Sequence, residues 1–146
     1  MKKIINEIRF RLPAKSVNES VSRAIISAFS AELNPTVDEL GDLRCAVSEA
    51  VTNAIVHAYR GVSDPDHSYI YISARLYNTR EITVEISDNG CGIENVGLAM
   101  SPSYTTGDAA ERCGMGFLVM ASFTDSLTVK SKVGRGTTVL MRKILK

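Results

Sequence analysis

The sequence predicts an α+β fold, in which helices cover one face of a mostly antiparallel sheet. Three observations predict it. Two successive segments carry apolar residues at helical spacing, each behind a capping sequence. Two later pairs of segments alternate apolar and polar residues and are joined by short turns, as hairpins are. Between the hairpins lie glycine-rich stretches and a short apolar helix. The order is strand, two helices, hairpin, glycine-rich stretch, helix, hairpin.

The first strand is expected over "IINEIRFRL", Ile4 to Leu12. From Ser16 to Leu33, apolar residues at Val17, Val21, Ala24, Ile25, Ala28 and Phe29 share a helical face, and Ser16 with Glu19 has capping-box spacing. Asn34-Pro35 is a turn, after which Thr36 with Glu39 forms a second capping box, opening a helix that runs to about Tyr59. "RGVSDPDHS" is a loop by composition. Tyr69–Leu76 and Glu81–Ser87 alternate around "YNTR" and form a hairpin. Gly116–Phe123 is a short apolar helix, and "SLTVKS" with "TTVLMRKIL" makes a second hairpin around "KVGRG". The stretch from about 95 to 113 is too long for a plain connection and reads as a lid.

The chain has 146 residues, enough for a single domain spanning 1–146 with a core of its own. Seventeen basic residues against 16 acidic give a formal net charge of +1, which argues against a general nucleic-acid binder. Cys45, Cys91 and Cys113 are odd in number and lack C-x-x-C spacing, which fits reduced thiols rather than a disulfide framework or a zinc site. No apolar run approaches the roughly 20 residues that span a bilayer, and the N-terminus has no signal-peptide core. A cytoplasmic protein is expected.

The chemistry starts at "SEAVTNAIVHAY", where Glu49, Asn53 and His57 recur every four residues and form one row. At about 100° per residue, Leu43, Ala46, Val47, Ala50, Val51, Ala54 and Ala58 cover a broad apolar arc beside that row. A polar row at the edge of a buried face suits the wall of a cleft; on its own it reads first as a solvated flank. His57 reads as a structural histidine at the cleft edge. "SDNGCGI" follows a strand: Asp88 offers a carboxylate at the strand end, while Gly90 and Gly92 let a flat ligand approach the main chain. Alone, it is also an ordinary glycine-rich turn. "RCGMGF" sets Gly114 and Gly116 before a helix, where backbone N–H groups bind phosphate or a hinge simply opens. "GRGTT" alone reads as a hairpin turn. No G-x-x-x-x-G-K-[ST] stretch and no H-R-D or D-F-G set is present, which excludes P-loop proteins and eukaryotic-type kinases.

Taken in order, these motifs resemble the ATP-binding domain shared by gyrase, the Hsp90 chaperone, histidine kinases and MutL, over roughly Leu40 to Lys143. Within it, "VSEAVTNAIVHAY", "SYTTGDAAERCGMGF" and "GTT" resemble the anti-sigma F group of sporulation serine kinases, with anti-sigma B-type kinases as near relatives. The resemblance implies a two-layer sandwich with a mixed, mostly antiparallel sheet. It implies binding of ATP or ADP with Mg2+, a sigma factor of the sigma F type held inactive, and phosphorylation of a serine on an anti-anti-sigma protein. It further implies a homodimer paired through the sheet near the N-terminus, and no direct contact with nucleic acid or membrane.

Roles are implied residue by residue. Glu49 matches the catalytic carboxylate and Asn53 the magnesium ligand. Asp88 matches the adenine-reading aspartate, with Gly90 and Gly92 beside the purine and Thr138 supporting the adenine contact. Thr105, Thr106, Arg112, Gly114, Met115 and Gly116 belong to the lid and phosphate cradle, and Arg112 also suits gripping the partner. Arg23 matches an arginine at the partner surface. Two other readings stay open: an isolated histidine-kinase-type catalytic domain, expected to lack the helix pair bearing an acceptor histidine, and a sigma-binding module without catalysis. Retention of Glu49 and Asn53 speaks against the second.

Overall fold

The computed structural model describes residues 1–61, 68–100 and 116–146. Five strands make one sheet: β1 (Ile4–Pro13), β2 (Tyr69–Tyr77), β3 (Glu81–Asp88), β4 (Ser126–Lys132) and β5 (Gly136–Ile144), in the spatial order β1-β2-β3-β5-β4. The two hairpins, β2–β3 and β4–β5, meet through β3 and β5, and β1 closes the far edge on β2. Every described ladder is antiparallel, so the parallel share of a mixed sheet is not found among the described residues.

Helices pack on one face. They are α1 (Val17–Ser30), prolonged by a 3-10 turn at Ala31–Leu33; α2 (Val37–Asn53), prolonged by a π-helical turn at Ala54–Ala58; the single turn α3 (Val96–Ala99); and α4 (116–122). Strand alternation decides which sheet face they cover. Ile70, Ile72, Ala74 and Leu76 of β2, Ile82, Val84 and Ile86 of β3, and Val139 and Met141 of β5 are buried. They meet Leu43, Ala46, Val47, Ala50 and Val51 of α2, and Phe117 and Met120 of α4. Each large aliphatic side chain so buried contributes roughly 1.5–3 kcal/mol. No described helix is long and apolar enough to cross a membrane.

The two expected caps part company. Thr36 accepts from the Glu39 N–H at 3.1 Å and the Glu39 carboxylate accepts from the Thr36 N–H at 2.9 Å, a complete capping box. Ser16 sits at the start of α1 in a helical conformation, φ −53° and ψ −37°, and its side chain caps nothing. Glu19 is engaged elsewhere: it accepts from Ser48 Oγ of α2 at 2.6 Å and pairs with Arg23 at 3.3 Å. That side-chain bridge ties α1 to α2.

The π-helical turn positions the next loop. Ala58, at its end, turns its carbonyl to the N–H of Cys91 at 2.7 Å, docking the glycine-rich loop after β3 onto the end of the α2 helix. Tyr59 adds a clamp. Its hydroxyl donates to the Tyr69 carbonyl at 2.5 Å and accepts from the Asn89 N–H at 2.9 Å.

Candidate functional site

A cavity opens where α2, the loop after β3, α4 and β5 meet. Its walls are largely apolar, from Ala50, Ala54, Ile86, Ile93, Phe117 and Val139. Asp88, Asn53, His57 and Thr137 add polar groups, and the space amounts to about 440 Å³ including the open mouth. A narrow apolar slot with a few fixed polar groups is built for a flat ligand with hydrogen-bonding edges.

Asp88 is a buried polar group of the cavity wall. Period-two alternation puts it on the same face as Ile82, Val84 and Ile86, and it is 8% exposed. Its Oδ1 accepts the N–H of Gly90 at 2.9 Å and of Thr137 at 3.2 Å. Burial holds its carboxyl above the ordinary aspartate range, and those two backbone donors only partly offset this. The second oxygen has no protein partner among the described residues, so a ligand N–H in the cavity would meet a ready acceptor.

The glycines serve the chain first. A Cβ on Gly90 would lie 2.0 Å from the Ala58 carbonyl oxygen, and one on Gly136 would lie 2.0 Å from that of Asp88. Gly92, at φ +77°, lines the cavity, while a Cβ there would strike the Lys132 carbonyl. Gly90 does not line the cavity: its bareness admits the α2 helix end rather than a ligand.

Thr138, expected to support the adenine contact, does not line the cavity. It pairs across the ladder with Ser87, and the two hydroxyls are 3.0 Å apart on the face away from the helices. Thr137, one residue earlier, shares the face of Asp88 and Val139 and lines the cavity. A one-residue step along a strand reverses the side. The ladder sets Thr138 opposite Ser87, so Thr137, one residue earlier, falls on the face of Asp88.

Asn53 and Glu49 lie together as their spacing predicts. Asn53 is 9% exposed, and among the described residues neither its Oδ1 nor its Nδ2 has a hydrogen-bond partner. A buried, unanswered amide is rare and costs stability, which points to a ligand or cation in the working state. Glu49 is half-buried one turn earlier. A Cβ on Gly116 would come within 3.0–3.1 Å of the Asn53 amide and 3.3 Å of Glu49 Oε2, so the bare Cα of Gly116 keeps the space between them open. Among the described residues no cluster of three or more His, Cys, Asp or Glu side chains is arranged to hold a metal, so a cation here would rest on Asn53 and on oxygens brought by its ligand.

His57 stands in the cavity wall, further in than a cleft edge. Its Nδ1 is 3.0 Å from Arg60 Nη2; arginine has no acceptor, so Nδ1 accepts and the ring proton sits on Nε2. Cys91 also lines the cavity, and its backbone ties the loop to Ala58 and Gly134. Tyr59, Ile93 and Phe117 went unread in the sequence because their placement depends on contacts distant along the chain. Arg23 lies outside the cavity, bridged to Glu19 and Ser48. Thr105, Thr106, Arg112, Cys113, Gly114 and Met115 lie outside the described residues.

Comparison with known proteins gives the context for this geometry. The family described as histidine kinase-like ATPase domain matches residues 12–143. The anti-sigma F factor of Clostridium acetobutylicum is 44% identical over 138 residues, covering 94% of this chain and 93% of that protein. The anti-sigma F factor of Clostridium perfringens is 46% identical over 138 residues, covering 94% and 96%. Among solved structures, the RsbU and RsbW domains of a Mycobacterium tuberculosis protein superpose with a TM-score of 0.70 at 18% identity, over 96% of this chain and 32% of that chain. The histidine kinase domain of a blue-light activated kinase from Erythrobacter litoralis gives 0.59 at 17% identity, over 87% and 61%. At such identities the solved structures speak for the fold alone.

Proposed function

Because the chain belongs to the histidine kinase-like ATPase domain family, and within it to the anti-sigma F factors, we propose that it is an ATP-dependent protein serine kinase that also holds a sigma factor inactive. The substrate is a serine on an anti-anti-sigma protein, and phosphorylation inactivates that protein. The sigma factor is of the sporulation, sigma F type, the enzyme works as a homodimer, and the setting is the cytoplasm.

The observation that carries the kinase reading is the convergence of the unanswered Asn53 amide and the Glu49 carboxylate on the bare Cα of Gly116, beside a cavity with a buried aspartate. Asp88 accepts a hydrogen bond from the exocyclic amine of adenine. Ile86, Ile93, Phe117 and Val139 hold the base and exclude water from it. Thr137 keeps Asp88 oriented through its N–H. The phosphates run from the cavity toward Gly116, with Gly114, Met115, Thr105, Thr106 and Arg112 as further phosphate contacts. Asn53, whose buried amide oxygen has no partner among the described residues, would hold magnesium, which would supply charge neutralisation across the phosphates.

Glu49 receives the proton of the attacking serine hydroxyl. As the bond between serine oxygen and γ-phosphorus forms, the bond from γ-phosphorus to the β,γ-bridging oxygen breaks and ADP leaves. Little covalent work falls to the protein, so positioning and electrostatics account for most of the rate. Glu49→Gln keeps the shape and removes the base. Single-turnover transfer should fall by about 10²–10⁴-fold while ATP affinity stays within roughly twofold. Transfer at the parental rate in that variant would remove Glu49 from the role of base.

A further inference from the structure

A second groove lies on the other side of Glu49, between α1, α2 and α4. Arg23, Arg44, Cys45, Ser48, Glu49 and Val119 line it, and it holds about 720 Å³ including open solvent. Glu49 faces this groove and is not part of the cavity wall, whereas Asn53 lines the cavity and not the groove. Gly116 leaves the passage between them open. A hydroxyl that gives its proton to Glu49 therefore arrives through the groove, opposite the nucleotide.

The α2 side of the groove follows from helical spacing. Gly41, Arg44, Cys45 and Ser48 stand at i, i+3, i+4 and i+7 and form one stripe. Gly41 and Cys45 are small, which leaves room for an incoming main chain. Nothing lies within 4 Å of where a Gly41 side chain would start.

Two guanidinium groups border this stripe, and they differ. Arg23 Nη1 lies 3.3 Å from Glu19 Oε1 and 3.4 Å from Ser48 Oγ, and Ser48 in turn donates to Glu19 at 2.6 Å. Its charge is thus answered within the protein. Arg44 is exposed and makes no side-chain hydrogen bond or ion pair among the described residues. Arg44 retains all five side-chain donors in a fork that matches a carboxylate.

Resting on the kinase reading above, we propose that Arg44 is a specificity-determining residue for the protein acceptor: it pairs with a carboxylate flanking the acceptor serine and so selects an acidic acceptor segment in this groove. The groove's charges fit that occupant. Glu49 repels carboxylates from the reacting end, and Arg44, five residues earlier on α2 and lining the same groove, attracts them. The acceptor segment is thereby oriented with its serine at Glu49 and its acidic flank at Arg44.

The test uses the full chain and a purified cognate anti-anti-sigma protein. Arg44→Glu should raise the KM for that protein by at least roughly tenfold, with kcat and the KM for ATP unchanged, and Arg44→Lys should recover most of the loss. A parental KM in Arg44→Glu overturns the proposal. Calorimetry with the acceptor whose serine is replaced by alanine separates this from the kinase reading. If the parent protein binds but never phosphorylates, the kinase reading fails, and the affinity of Arg44→Glu still decides on Arg44. A dissociation constant unchanged by Arg44→Glu, or no acceptor binding by the parent protein, overturns it. Equal weakening of sigma-factor and acceptor binding would also overturn it, since the groove would then not discriminate acceptors.

Discussion

At the scale of single residues, Asp88 is held in a conflict that a ligand resolves. Burial raises its folded pKa above the unfolded value, so the folded protein keeps the proton more tightly. Between those two values its contribution to stability falls as pH rises, and at neutral pH its charge costs the unliganded protein stability. Asp88→Asn keeps an acceptor for Gly90 and Thr137 and removes the charge. At neutral pH the unliganded variant should melt a few degrees higher than the parent, while its ATP affinity drops by roughly tenfold or more. Melting curves with and without ATP, repeated from acidic to neutral pH, check both halves. Equal melting and equal ATP affinity would take Asp88 out of the nucleotide site. Residue-level legibility was uneven for a physical reason. Helical and strand periodicities fix the side of Glu49, Asn53 and Asp88 within their elements, but only the ordered motifs together singled them out. That Thr137 rather than Thr138 lines the cavity was not legible, because choosing between adjacent threonines needs the register of β5 on β3, which no local pattern carries.

At the scale of elements, identical cap signatures led to different outcomes. Both helix starts show a Ser or Thr followed three residues later by Glu. At Thr36 the box forms: one Glu39 oxygen takes the Thr36 N–H while the other takes the backbone N–H of Lys146. At Ser16 the glutamate is claimed by Ser48 and Arg23 of the packed helix pair, so tertiary bonding overrides the local motif. Thr36→Ala should therefore cost about 1 kcal/mol in a denaturant titration, and Ser16→Ala should stay within about 0.5 kcal/mol. Similar losses at both positions would contradict the assignment of the caps. The helix ending near Tyr59 was legible, yet its π-helical close at Ala54–Ala58 was not. Such a turn is set by what its freed carbonyl meets, here the Cys91 N–H delivered by a loop distant in sequence. Two elements that periodicity identified separately become one site through that hydrogen bond.

At the scale of the whole molecule, one antiparallel sheet serves as a platform for two openings that share the helix α2. The cavity takes its depth from β3 and β5 and its polar floor from Asp88 and Asn53; the groove takes its walls from α1 and α4. The layer arrangement was legible, since apolar alternation in the hairpins and apolar arcs in the helices leave few ways to bury both. Strand order was not, because hairpin patterns do not say which edges meet. Cavity and groove adjoin at Gly116, between Asn53 and Glu49, where we propose that a phosphoryl group passes from ATP to a serine. The measurement that bears on it most directly is phosphoamino-acid analysis after mixing the protein with γ-labelled ATP, magnesium and a cognate anti-anti-sigma protein. Acid-stable phosphoserine should appear on the partner, at a rate reduced by about 10²–10⁴-fold in Glu49→Gln. Acid-labile phosphohistidine, or no transfer despite intact ATP binding, would contradict it.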